Sequence, residues 1–261
     1  MPYRTIAGMR SLVTGASGGI GRAIAVELAR QGSKVVLLAR REDALAAVAE
    51  EIRKAGGAAE CVAGDVTDPA VRRAALDRAA EKFGGLDGLV NNAGIGATGR
   101  FDMAQPERLR KIFEVNFFAA AELTREALPL LRQGRRPIVV NIASVLGHRG
   151  APQMSEYSAS KFALRGLSQA LRTELRPVGI DLLVVSPGTT ETEFFGNVVD
   201  GDGKTRWPRW GAVSSAAVAR ATVRAMRHKR HEIIPNLPGW FLTFVNRLFP
   251  RLIDEAMTRY G

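Results

Sequence analysis

Short apolar runs punctuate this chain, and the segments between them place hydrophobic residues at helical spacing. Leu12-Val13, Val35–Ala39, Glu60–Ala63, Gly88–Asn91, Pro137–Ile142 and Asp181–Val185 are too short for buried helices and read as strands. Several are apolar at consecutive positions, so both faces of the sheet they form must be covered. Between them, Arg22–Gln31, Glu42–Lys54, Pro69–Phe83, Pro106–Leu131 and Ser155–Leu175 read as helices, and Gly32 stops the first. This alternation predicts an α/β fold, a doubly wound Rossmann-type parallel sheet with helices on both faces. No repeat, low-complexity segment or linker interrupts it, so residues 1–261 are read as a single domain.

The texture changes only from about Gly196 onward. Over the tail, residues 237–261, Trp240, Phe241, Phe244, Val245, Leu248 and Phe249 share one helical face. Pro250 interrupts, and Leu252, Ile253, Ala256, Met257 and Tyr260 repeat the stripe. The expectation is a C-terminal extension of two short amphipathic helices. Neither approaches the roughly 20 apolar residues that span a bilayer. Such a stripe can cover a cleft, face another subunit or lie in a membrane interface. The reading adopted is a lid or interface element that also makes peripheral membrane contact.

Composition narrows the partners. Lys and Arg number 37 against 26 Asp and Glu, a net charge of +11, which favours anionic partners without choosing among them. With no zinc-finger spacing, RNP signature or dense basic run, nucleic acid is not expected. The single cysteine, Cys61, excludes an internal disulfide and any cysteine-rich metal site, and no metal is expected. The first residues contain no long apolar run of the secretory kind, so the expectation is a cytoplasmic protein.

Candidate chemistry lies at the strand ends. Thr14-Gly15-Ala16-Ser17-Gly18-Gly19-Ile20-Gly21 occupies the first strand-to-helix turn, where glycines let the backbone approach a pyrophosphate and the helix N-terminus offers free N–H groups. In Ser155-Glu156-Tyr157-Ser158-Ala159-Ser160-Lys161, a phenol and an ammonium stand four residues apart on one helical face. A tyrosine titrates near 10, and a neighbouring ammonium favours its phenolate, so Lys161 is expected to tune Tyr157 downward.

Together with Asp65-Val66, Asn91-Asn92-Ala93-Gly94, Asn116, Ser144 and Pro187-Gly188, these motifs fall in the order and approximate spacing of the short-chain dehydrogenase/reductase family. The chain resembles that family from about Met9 to Thr192. The resemblance implies that Tyr157 exchanges a proton with a carbonyl or alcohol oxygen, that Ser144 holds the same oxygen, and that Lys161 also binds the nicotinamide ribose. Asn116 would support a water linking Lys161 to solvent. It further implies a dinucleotide held by Gly15, Ser17, Gly18, Gly19, Ile20, Gly21, Asp65, Val66, Asn92, Ala93, Gly94, Pro187, Gly188, Thr190 and Thr192, together with Tyr157 and Lys161.

The second strand ends in Ala39-Arg40-Arg41, without the acidic residue that binds an adenosine 2′-hydroxyl. By resemblance, Arg40 is the candidate for a 2′-phosphate and Arg41 the reserve, so NADP(H) is favoured over NAD(H). The family also implies a homodimer or homotetramer through helices Pro106–Leu131 and Ser155–Leu175. A substrate loop over 193–212, with Phe194, Phe195, Trp207 and Trp210, suits an apolar carbonyl or alcohol. The alternatives are a cofactor-binding sensor and a membrane-associated interaction protein, neither with turnover.

Overall fold

The computed structural model of the chain describes residues 3–191, 198–199 and 211–260. Thr192 and the expected loop residues Phe194, Phe195, Trp207 and Trp210 lie outside them. The strands are β1 (Arg10–Thr14), β2 (Lys34–Ala39), β3 (Ala58–Ala63), β4 (Gly88–Asn91), β5 (Ile138–Ile142), β6 (Asp181–Val185), β7 (Thr190–Glu191), β8 (Val213–Ser214) and β9 (Glu232–Ile233). Seven form one parallel sheet, in the order β3-β2-β1-β4-β5-β6-β9, while β7 and β8 pair separately.

Side chains alternate across this sheet although both sets are apolar. Val13, Val35, Leu37, Val90, Val140 and Leu183 enter one core, and Leu12, Val36, Leu38, Leu89, Val139 and Leu182 enter the other. Helices α1 (Gly19–Arg30) and α2 (Glu42–Lys54) cover the first core, and α3 (Pro69–Phe83) the second. The second core also takes α5 (Ala119–Arg132) and α6 (Ser155–Leu175), and the first takes α7 (Ser215–Arg227). The helix α3 starts and stops where its residues dictate. Asp68 accepts from Ala70 N–H at 2.8 Å, Pro69 opens the helix, and Gly84 ends it in the left-handed conformation at φ 79°.

Three differences from expectation have physical causes. The first helix begins at Gly19, not Arg22, because the glycines of the loop run on into its first turn. The expected helix Pro106–Leu131 is α4 (Pro106–Phe113), a π turn over Glu114–Phe118, and α5. Asn116, a poor residue for a helix interior, sits buried in that turn. The helix α7 and the strands β7, β8 and β9 were not expected, and each of those strands, at two residues, is too short to leave a pattern.

The tail forms α8 (Leu237–Leu248) and α9 (Pro250–Met257), as its stripe predicts. Pro250 opens α9, a position that tolerates a missing N–H, and the break falls at Phe249 (φ −133°, ψ 62°). No helix among the described residues is long and apolar enough to cross a membrane.

Candidate active site

The carboxyl ends of β1, β4, β5 and β6 open onto a cavity of about 980 Å³. Its first wall is the glycine loop. Gly15 and Gly19 hold φ of 64° and 54°, conformations that glycine adopts at no steric cost. A Cβ on Gly15 would stand 2.8 Å from the Asn92 amide nitrogen, and one on Gly21 would collide with the Gly15 carbonyl and the same amide. Thr14 Oγ1 accepts from Asn92 N–H and Ala93 N–H at 2.9 Å each, and Asn92 Nδ2 donates to the Thr14 carbonyl at 2.9 Å. The first turn of α1 carries no side-chain cap and no acidic residue. Its N–H groups and dipole therefore suit a pyrophosphate, and the residues present fit a dinucleotide.

The adenosine end is basic. Arg40 and Arg41 are both exposed and border the cavity. Arg41 reaches back over the loop, its Nη2 donating to the Ser17 carbonyl at 3.3 Å and its Nε 3.5 Å from Ser17 Oγ. Arg40 follows the last residue of β2 and Arg41 is the N-cap of α2, so both stand at the turn between the two elements. Asp65 Oδ1 accepts from the N–H and hydroxyl of Thr67 at 3.0 and 2.9 Å, turning Asp65 and Val66 along the cavity rim.

The reactive cluster joins β5, α6 and the π turn. Ser144 follows β5, and its Oγ accepts from Leu146 N–H at 3.1 Å while the side chain hydrogen-bonds Tyr157. Lys161 is 4% exposed, and its ammonium donates to the Ile142 carbonyl at 2.9 Å. Asn116 is held on three sides. Its Oδ1 accepts from Ile95 N–H at 2.8 Å, and its Nδ2 donates to the Ile95 carbonyl and to Ser160 Oγ, both at 3.0 Å. A Cβ on Gly94 would lie 3.2 Å from Asn116 Oδ1 and 3.5 Å from Lys161 Nζ, so three sequence motifs meet there. A buried ion pair, Arg108 Nη2 to Glu156 Oε1 at 2.6 Å, locks α4 to the start of the helix bearing Tyr157.

Electrostatics within the chain differ from expectation. Burial pushes the Tyr157 phenol up to about 12, against the opposing pull of its hydrogen bond with Ser144, and pushes Lys161 down to about 8. Desolvation is the largest cause of both shifts, and in the chain itself it acts against the downward pull on the phenol that was expected of Lys161. The tyrosine is held as the neutral acid.

Pro187, Gly188 and Thr190 line the cavity beyond β6, and Thr190 Oγ1 donates to the Gly188 carbonyl at 3.0 Å. Leu242 of α8 also lines the cavity, so the tail borders it. Its aromatic stripe points the other way: Trp240, Phe241 and Phe244 are 51%, 63% and 47% exposed, and Trp240 stacks on Phe244. Sequence reasoning missed Ser160, whose Oγ accepts from Asn116 and donates to the Tyr157 carbonyl at 2.7 Å. The available signal was a serine three residues after the tyrosine in a helix interior.

Comparison with known proteins agrees with this arrangement. The short chain dehydrogenase family pattern matches residues 10–203. Ketoacyl reductase HetN of Nostoc sp. is 36% identical over 233 residues, covering 89% of this chain and 80% of that protein. A short chain dehydrogenase/reductase of Burkholderia phymatum, crystallised with NAD, superposes with a TM-score of 0.87 at 28% identity, covering 95% of this chain and 96% of that one. A short chain dehydrogenase of Burkholderia cenocepacia, crystallised with NADP, gives 0.78 at 33% identity over 88% and 97%. A glycine-walled dinucleotide cavity in the expected fold, and matches along most of its length, establish that the chain belongs to the short-chain dehydrogenase/reductase family, oxidoreductases that act on CH–OH groups with a nicotinamide dinucleotide.

Proposed function

We propose that this chain is an NADP(H)-dependent reductase that interconverts an apolar ketone and its secondary alcohol, with Ser144, Tyr157, Lys161 and Asn116 as its catalytic set. The observation that carries the reading is Tyr157, a buried neutral acid hydrogen-bonded to Ser144 at the cavity wall beside the buried Lys161. The cofactor, when bound, supplies or accepts the hydride. In reduction, the Tyr157 hydroxyl gives its proton to the carbonyl oxygen while Ser144 hydrogen-bonds that oxygen as charge develops on it. Lys161 keeps a positive charge beside the phenol, and Asn116 holds the Ile95 backbone and, through Ser160, the turn of α6 that carries Tyr157.

Preference for NADP(H) rests on Arg41 lying over Ser17, on Arg40 beside it, and on the lack of an acidic residue at the end of β2. An apolar substrate suits the wall formed by Val145, Leu146, Met154, Val199 and Leu242. It also agrees with a relative named as a ketoacyl reductase. Exposed Leu109, Phe118 and Phe162 on α4–α6 support a homodimer or homotetramer, which a monomeric mass by light scattering would overturn. The outward stripe of α8 supports peripheral contact with anionic lipid, because the helix carries no acidic residue and Arg247 and Arg251 flank the stripe.

The test is a survey of NADPH and NADH oxidation over ketones of graded chain length. Turnover that rises with apolar length and favours NADPH supports the reading. Dinucleotide binding without turnover on any carbonyl would favour the sensor alternative.

A further inference from the structure

Asn236 stands at the N-cap of α8 with extended backbone (φ −131°, ψ 139°), where an asparagine ordinarily accepts from N–H groups of its own helix. It makes no such bond. Its Oδ1 accepts instead from Gly188 N–H at 3.0 Å, 48 residues away in the chain. The side chain is buried, and glycines make room for it on two sides. A Cβ on Gly188 would collide with the Asn236 amide, and a Cβ on Gly239 would stand 2.7 Å from both Asn236 Oδ1 and Val145 Cγ1. Val145 N–H donates to the Pro187 carbonyl at 3.0 Å, so the Ser144 turn closes the same knot. Leu242, within the turn of α8 that follows Gly239, lines the cavity.

One carboxamide thus ties together the Pro187–Gly188 stretch, the turn that follows Ser144 and the root of the C-terminal helices. We propose that Asn236 is a positioning residue that couples the seat of α8 to the occupancy of the nicotinamide half of the dinucleotide site. The inference rests on the dinucleotide reading of the cavity. A group bound against Pro187 and Gly188 stabilises the arrangement in which Asn236 is engaged, and by reciprocity a seated α8 strengthens that binding. An ordinary N-cap acts on its own helix only. Here removal of the side chain costs α8 no cap bond, and it leaves the Gly188 N–H without its partner.

The experiment is calorimetric titration of the full chain with NADPH and with 2′,5′-ADP, which carries the adenosine end but no nicotinamide. Asn236→Ala should bind NADPH about tenfold more weakly, the scale of one net hydrogen bond, and 2′,5′-ADP as wild type does. Asn236→Asp, which keeps an oxygen facing Gly188, should recover most of the loss. In the same proteins, NADPH should slow tryptic cleavage after Arg247 and Arg251 in wild type and not in Asn236→Ala. If Asn236→Ala does not fold, Asn236→Leu keeps the volume without the acceptor and carries the same expectations. Unchanged NADPH affinity, equal weakening toward both ligands, or equal protection of the tail in wild type and variant would each overturn the coupling. A wild-type chain that binds neither of these ligands nor NADH overturns the dinucleotide reading, and this inference with it.

Discussion

Lys161 donates its ammonium to the Ile142 carbonyl at 2.9 Å while standing 5.7 Å from the centre of the Tyr157 ring. A cation so enclosed destabilises the fold that holds it. Burial brings its pKa to about 8, below the value near 10.5 of an open chain. Between these values the unfolded chain carries the extra proton, so stability rises with pH across that window, and below it the full cost of the charge remains. Lys161→Met should therefore stabilise the cofactor-free protein at pH 7 by about 1–2 kcal/mol, less than the desolvation relieved because the Ile142 carbonyl loses its donor. Urea unfolding at pH 7 and pH 9.5 checks this. The gain should shrink at the higher pH, and an equal difference at both would refute the account.

Tyr157→Phe keeps the ring and removes the proton. Turnover should fall by about 10²–10⁴, with dinucleotide affinity near that of wild type. Steady-state rates paired with calorimetry separate the two effects. Unreduced turnover would point to another acid.

Arg41→Ala should cut the preference for NADPH over NADH by about 1–3 kcal/mol, the range of a charge-assisted hydrogen bond to phosphate. Arg40→Ala should have the smaller effect, because Arg41 is the residue that lies across Ser17. Titration of both variants with both nucleotides decides it. The reverse ranking would return the role to the residue at the strand end.

Phe241→Glu with Phe244→Glu places two carboxylates on the exposed stripe of α8, away from Leu242. Sedimentation with anionic liposomes should drop several-fold, while oligomeric mass and NADPH affinity stay as in wild type. Retained sedimentation excludes the lipid contact. A changed mass would make the stripe a subunit contact instead.

How far the residues announced these features depended on how local each signal was. The helix α3 was legible to the residue because Asp68, Pro69 and Gly84 are adjacent cap signals, and the strands because unbroken apolar runs demand a sheet covered on both faces. The π turn was not, since nothing in Glu114–Phe118 marks it except the odd asparagine. Arg40 and Arg41 are consecutive between β2 and α2, so spacing alone does not show which of them reaches back to Ser17, as Arg41 does. The raised pKa of Tyr157 depends on how deeply the fold buries it, and the bond between Asn236 and Gly188 depends on a long-range contact.

The π turn also fixes the angular phase of everything after it. Its extra residue turns α5 by about 100° relative to an unbroken helix, since each residue of an α-helix advances the chain by that angle. That offset lets Ile112 of α4 pack against Ile95 and Ala97, while Leu123, Ala127 and Leu131 of α5 enter the second core of the sheet. A chain shortened by one residue between Glu114 and Phe118 could wind a smooth helix there. It would then have to choose between presenting Asn116 to Ile95 and Ser160 and presenting α5 to the sheet, so this irregularity is the point at which folding and chemistry are made compatible.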